Sequence, residues 1–218
     1  MSKERARLCA GVINYGAGNL GNVLRALSGL NVRHEVLERV DDADGVSPSI
    51  LILPGVGAFP PAMGHLVSSG WADFLRIWAK DGRPIVGICV GLQLLCSRSS
   101  EDVPTEGLGL LEGSVDILKG VSKIPHMGWN SVEWGDGSDE IADPGRNFYF
   151  VHSYAVAESP HCIGTTEVDG AKFCSAMRNR NVAGFQFHPE RSGREGVRFL
   201  GRAIRALNEI YSREFTSC

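Results

Sequence analysis

Residues 84–97, PIVGICVGLQLLCS, pass from a continuous apolar strand pattern to a short helical one with no loop between them. The apolar run PIVGI (84–88) marks a strand buried on both faces, and such strands belong to parallel sheets covered by helices. Gly87 and Gly91 stand two positions either side of Cys89. A sharp strand-to-helix turn there thrusts one side chain out of the sheet, the nucleophile-elbow pattern with Cys in place of Ser. The start of a helix beneath the sulfur brings unpaired N–H groups and partial positive charge, a setting that favours the nucleophilic thiolate. Most cysteines are inert core residues, and only its place in the elbow separates Cys89 from Cys9, Cys96, Cys162, Cys174 and Cys218.

The flanking sequence supplies the rest of an α/β rhythm. LCAGVIN (8–14), VRHEVLE (32–38) and ILIL (50–53) read as strands, the last stopped by Pro54 and Gly55. NLGNVLRALSGL (19–30) places Leu20, Val23, Leu24 and Leu27 at helical spacing, and WADFLRIWAK (71–80) does the same with Trp71, Phe74, Leu75 and Trp78. Met63 and Leu66 read as core, and DDADG (41–45) and RNRN (178–181) as solvated turns. The second half changes character: SVDIL, WNSVEW, FYFVHSYAV, CIGTTEV, FCSAM and VAGFQF are short, β-rich and punctuated by turn residues, which predicts hairpins. GREGVRFLGRAIRALNEIY (193–211) closes the chain as an amphipathic helix with Val197, Leu200, Ile204 and Leu207 inward. The expectation is one α/β domain over residues 1–218, a mostly parallel central sheet flanked by helices with a β-rich second half.

Charge and cysteine usage narrow the partners. The 22 basic and 25 acidic side chains leave a net charge of −3, which argues against a nucleic acid or an anionic membrane as the main partner. The longest apolar stretch, residues 85–96, contains two glycines and a glutamine and is too short to span a bilayer. The basic N-terminus soon reaches Asn14 and shows no signal-peptide cleavage pattern. The six cysteines form no C-x-x-C pair and no zinc-type spacing. Free thiols in a reducing cytoplasm, with no metal, are the expectation.

GFQFHPE (184–190) supplies partners for Cys89. A strand carrying His188 and Glu190 two apart points both to one face, and Pro189 between them marks the end of the strand. His188 is placed to take the thiol proton and Glu190 to orient the imidazole. Taken alone, H-x-E fits equally a strand-end histidine beside a solvated carboxylate. It gains meaning from Cys89, because both sit at strand ends, where α/β sites form. LPGVGAF (53–59) follows another buried strand; its N–H groups, with that of Val90, are suited to an oxyanion, although a Pro-Gly strand terminator looks the same. GAGNLG (16–21), with Glu38 downstream, matches a dinucleotide fingerprint. That reading leaves the elbow and the H-x-E strand unexplained, and turn geometry accounts for these glycines equally well. IPHMGWN (124–130) reads as core packing or as a surface that faces a partner.

Together, GICVGLQLL and GFQFHPE resemble the nucleophile and His/Glu motifs of the class I (triad) glutamine amidotransferases. Within that class, NYGAGNL, LPGVGAF, IPHMGWN, FVHSY and FHPERSG resemble, in order and across residues 11–210, the glutaminase subunits of imidazole glycerol phosphate synthases. The resemblance implies Cys89 as nucleophile, His188 as general base and acid, and Glu190 as orienting carboxylate. It implies that Gln93, Gly55, Val56, Gly57, Val90, Ser153 and Tyr154 bind substrate glutamine, with no cofactor. It also implies that Arg191, His126, Met127, Trp129 and Asn130 meet a separate cyclase (synthase) subunit, a (β/α)₈ barrel, in a heterodimer. That partner uses the ammonia to make imidazole glycerol phosphate and aminoimidazole carboxamide ribotide in histidine biosynthesis, and its nucleotide substrate raises a low basal turnover. Glycines at 55 and 57 suit a peptide flip that gates the oxyanion site. Val90 and Leu92 replace the family's frequent Leu and Met, and Arg191 its frequent Lys, which keeps charge but alters geometry. Three other readings stay open: a stand-alone cysteine hydrolase such as a γ-glutamyl hydrolase or a peptidase, fully active without a partner; another class I glutaminase subunit; and a dinucleotide-binding domain indifferent to Cys89→Ala.

Overall fold

Apolar runs of strand length that alternate with amphipathic stretches can bury both only as strands and crossover helices. The computed structural model, which describes residues 8–16 and 20–215, has this form. Its first half comprises β1 (Cys9–Ile13), α1 (Leu20–Gly29), β2 (Arg33–Leu37), α2 (Asp42–Val46), β3 (Ile50–Gly55), α3 (Phe59–Ser68), α4 (Trp71–Lys80), β4 (Ile85–Cys89) and α5 (Val90–Leu95). The second half adds β5 (Cys96–Ser99), β6 (Thr105–Glu106), β7 (Leu111–Ile117), β8 (His126–Ser131), β9 (Glu133–Trp134), β10 (Asn147–His152) and β11 (Tyr154–Val156). It ends with β12 (Cys162–Val168), β13 (Ala171–Asn179), β14 (Val182–Phe185), a 3₁₀ turn at Pro189–Arg191 and α6 (Gly193–Phe215). Of the glycine-rich stretch, Ala17, Gly18 and Asn19 lie outside the described residues, as do the basic N-terminal residues 1–7 and Cys218.

Strands β2-β1-β3-β4-β14 form a parallel block. The sheet continues through the antiparallel β13, then β11, β7, β5 and β6, with β12 attached to β13 and β9 to β12. Strands β8 and β10 stand apart as an antiparallel ribbon. The helix faces bury as their periodicity requires: Val23 and Leu27 in α1, Trp71, Leu75 and Trp78 in α4, and Leu200, Ile204 and Leu207 in α6 are all buried, as are Met63 and Leu66 in α3. The ribbon is tied to the sheet by aromatic packing, with Phe148 stacked on Phe187 at 4.1 Å between centroids and Phe199 of α6 edge-on to both. No helix among the described residues is long and apolar enough to cross a membrane.

The fold departs from the expected elements at several points. β3 runs through Pro54 to Gly55, pairing with Ile88 and Cys89 of β4, whereas β1 pairs only with residues 50–52. Pro54 therefore has a neighbour on one side only, and its missing N–H removes no ladder bond there. Residues 41–45 contribute to the short helix α2 rather than a bare turn. In the 178–181 turn, Asn181 is buried, its amide donating to the carbonyls of Ala79 and Arg83 at 3.0 and 2.8 Å. WNSVEW and FYFVHSYAV are each divided between the ribbon and the main sheet, at Val132 and Ser153.

Candidate active site

β4 ends at Cys89, whose φ of 55° and ψ of −111° place a non-glycine residue in a strained conformation. Close packing holds it there. A Cβ on Gly91 would lie 1.9 Å from the Leu53 carbonyl oxygen, so α5 can press against β3 only with glycine at that position. Gly55 is caught in the same contact, its own Cβ position being 2.6 Å from the Gly91 nitrogen. The elbow thus delivers the Cys89 sulfur to the C-terminal edge of the parallel strands, 3.9 Å from the Val151 carbonyl oxygen and 3.8 Å from the Gln186 side-chain nitrogen.

His188 reaches this sulfur from beyond β14. The strand expected to carry His188 and Glu190 on one face stops at Phe185. Pro189, with its fixed φ and no N–H to donate, opens a 3₁₀ turn instead. The turn folds Glu190 back, so that His188 Nδ1 donates to Glu190 Oε1 at 2.8 Å, with both side chains almost wholly buried. Nε2 is left for Cys89. Burial opposes the imidazolium, but its hydrogen bonds to Cys89 and Glu190, together with their negative charge, outweigh it and push His188 up to about 10. The second Glu190 oxygen is buried with no hydrogen-bond partner among the described residues, leaving the carboxylate committed to the imidazole.

Cys89 and His188 open on a cavity of about 290 Å³. Val56, Gly57, Val90, Gln93, Ser153, Tyr154 and Arg191 line it as well. Gly55 does not, being buried beneath the loop against α5. Of the residues expected on a partner-facing surface, Met127 and Trp129 are well exposed at 59% and 57%. Arg191 lies over the Tyr149 ring at 4.5 Å, and Asn130 is half-buried, donating to the Glu167 carbonyl. His126 differs: it alternates inward from Met127 and packs against Phe150, His152 and Phe173.

Three side chains of the site carried no separate signal in the sequence. Glu101 lines the cavity and accepts from the Phe59 N–H at 2.7 Å, which satisfies the start of α3. His152 lies between His126 Nδ1, 3.1 Å away, and the Tyr154 carbonyl, 3.0 Å away. Because that carbonyl can only accept, His152 Nδ1 carries the proton and Nε2 accepts from His126. Burial, helped by neighbouring His126 and His188, pushes His152 down to about 3. Gln186, the third, is fully buried and sits two residues before His188.

A thiol and a carboxylate-bound imidazole opening on one cavity with polar and apolar walls form an arrangement suited to acyl transfer from an amide or ester. The profile of the glutamine amidotransferase class-I family matches residues 11–204. The chain belongs to that family. This class I glutamine amidotransferase is 40% identical over 197 residues to imidazole glycerol phosphate synthase subunit HisH of Thermotoga maritima, the match covering 89% of this chain and 95% of that one. It is also 40% identical over 200 residues to the chloroplastic imidazole glycerol phosphate synthase hisHF of Arabidopsis thaliana, covering 88% of this chain and 33% of the longer one. A crystal structure of a glutamine amidotransferase superposes with a TM-score of 0.71 at 18% identity, covering 92% of this chain and 97% of that one, and shares the amidotransferase fold.

Proposed function

We propose that this amidotransferase is the glutaminase subunit of an imidazole glycerol phosphate synthase and that Cys89, His188 and Glu190 are its catalytic triad. The reading is carried by the opening of Cys89 and a Glu190-bound His188 on one cavity, in a chain 40% identical to such a subunit over nearly its whole length. His188 takes the thiol proton and the Cys89 sulfur attacks the side-chain amide carbon of glutamine. The resulting oxyanion is met by the Val90 N–H and by the loop at Val56 and Gly57. His188 then protonates the departing nitrogen, and ammonia leaves a γ-glutamyl thioester. Water, deprotonated by His188, releases glutamate and restores the thiol. A single oxyanion donor is worth about 2.7–4 kcal/mol in kcat.

The polar groups in the cavity wall fit an amino-acid substrate. The Gln93 side-chain nitrogen is occupied by Tyr154 O at 2.9 Å and Gln186 Oε1 at 3.1 Å. Its carbonyl oxygen therefore remains for the donors of glutamine, and the Glu101 carboxylate supplies a charge partner for the α-ammonium group. Ammonia passes to a (β/α)₈ cyclase subunit docked on the exposed Met127 and Trp129 with Arg191 beside them, a surface rich in the residue types enriched at interfaces. The partner closes the imidazole ring in histidine biosynthesis. The cytoplasm suits five cysteines that are all free among the described residues.

The test is glutamate release from glutamine by the full chain, alone and with the cyclase subunit plus its ribonucleotide ligand. We expect strong stimulation by the liganded partner and complete loss in Cys89→Ala. Equal Cys89-dependent turnover with and without partner would identify an independent hydrolase. No turnover beside a verified active cyclase would end the assignment.

A further inference from the structure

Gln186 is fully buried and takes no part in the triad, yet its side chain bridges two parts of the site. Its Nε2 lies 3.8 Å from the Cys89 sulfur, and its Oε1 accepts from Gln93 Nε2 at 3.1 Å. Gln93 Nε2 donates also to the Tyr154 carbonyl at 2.9 Å. The backbone pins Gln186 in place, its N–H bonding to the Ser175 carbonyl at 2.9 Å.

An amide side chain can face either way, and the neighbours decide which. Tyr154 O is a backbone carbonyl and only accepts, and it also accepts from His152 Nδ1. Gln93 must therefore turn its NH₂ toward Tyr154 and Gln186. Gln186 must answer with its oxygen, which leaves its own NH₂ facing the sulfur. A flip of Gln93 would set its oxygen against those of Tyr154 and Gln186, and a flip of Gln186 would set its NH₂ against that of Gln93, in either case at the full desolvation cost of unpaired polar groups. A donor aimed at the sulfur favours its anionic form and restrains its direction on the side not taken by His188.

We propose that Gln186 is a positioning residue for the Cys89 nucleophile, its amide held in the donating orientation by the chain Tyr154 O, Gln93, Gln186. The inference rests on Cys89 being the nucleophile proposed above. It makes Gln93, which does not bond to the sulfur, a second determinant of thiol reactivity besides its place in the cavity. The side chains facing the sulfur are then His188 and Gln186, beside the Val151 carbonyl oxygen at 3.9 Å, with the buried Tyr15 near enough for its own ionisation to be opposed by Cys89.

The full chain would be alkylated with iodoacetamide across a pH series, the Cys89 peptide being followed by mass spectrometry so that the other thiols do not interfere. Gln186→Leu removes the donor, and Gln186→Glu keeps the shape while replacing the donor with a carboxyl group. Each is expected to slow Cys89 alkylation at neutral pH about tenfold, the loss of a hydrogen bond to a charged group, and to move its pH midpoint upward. Gln93→Leu is expected to act in the same direction, because it frees Gln186 to flip. Melting curves identify variants that have kept the fold. An unchanged alkylation profile in a folded Gln186 variant overturns the proposal, and a shift in the Gln186 variants without one in Gln93→Leu overturns the anchored chain. Glutamate release with the cyclase subunit separates the two readings. A wild-type chain that fails to turn over glutamine removes the glutaminase assignment, while the alkylation profile still reports on Gln186 and Cys89. Normal turnover together with unchanged alkylation in the variants removes Gln186 alone.

Discussion

Cys89 carries backbone strain of about 1–3 kcal/mol, and the contacts that sustain it involve residues lacking a side chain. Gly91 and Gly57 are both glycines of the site, yet their requirements differ. At Gly91 the obstacle is a backbone oxygen 1.9 Å from any Cβ, and neither β3 nor α5 can move aside cheaply. At Gly57 there is nothing within 4 Å, and only its φ of +94° disfavours a side chain. Gly91→Ala should therefore lower stability by more than about 3 kcal/mol, as overpacking against rigid backbone does at its worst. Gly57→Ala should cost only about 1–2 kcal/mol of left-handed strain. Urea denaturation of the two variants checks this, and equal losses would contradict it. The comparison also bears on gating. A substitution at Gly55 would wedge α5 from β3 before it restrained any peptide flip, so Gly57 is the position at which loop freedom can be altered while the elbow stays packed.

The elements around the site are held by residues far away in sequence. α3 begins FPP, and its N-cap Ala58 makes no side-chain cap bond. The cap comes instead from Glu101, 42 residues after Phe59, whose N–H it accepts. Glu101→Ala is expected to lower stability by about 1 kcal/mol, the usual loss on removing a helix cap, and to raise the KM for glutamine because the same carboxylate lines the cavity. A lower urea midpoint with KM unchanged would leave Glu101 a purely structural role. The ribbon shows the same dependence on distant partners. WNSVEW and FYFVHSYAV each have an unbroken β pattern, but Phe148 and Phe150 must meet Phe187 and Phe173, while Val156 pairs with Cys174 and Val115 in the main sheet. One straight strand cannot do both. The break at Ser153 brings Val151 O against the Cys89 sulfur and Tyr154 O against Gln93.

At the scale of the whole molecule, two buried histidines pull stability in opposite directions with pH. His188 is raised from 6.5 to about 10, so the folded state holds its proton more tightly. Its contribution is complete below pH 6.5 and is lost as pH rises toward 10. His152 is lowered from 6.5 to about 3, so the unfolded chain takes up its proton first, and stability falls as pH drops from 6.5 toward 3. These two groups place maximum stability near pH 6.5. Urea denaturation at about pH 4.5, 6.5 and 9 should show both limbs, and His188→Asn should flatten the alkaline one alone. An alkaline limb as steep in the variant as in the wild type would refute the assignment to His188.

The parallel block and the elbow could be read from local chemistry, because buried strands need continuous apolar runs and the turn at Cys89 needs glycines at 87 and 91. The arrival of Cys89 and His188 at neighbouring strand ends was legible for the same reason, whereas the path by which Glu190 reaches the imidazole was not. What the residues could not record was contact across long separations. The 3₁₀ turn that replaces a strand at Glu190, the inward path of His126, the Glu101 cap and the Gln186 bridge each depend on which carbonyl or sulfur arrives from another element. Polar side chains such as Gln186 and His152 look alike in sequence whether solvated or buried. Only the packed structure removes water from them, and once it is gone each donor must find an acceptor. That pairing turned two ordinary residues into parts of the site.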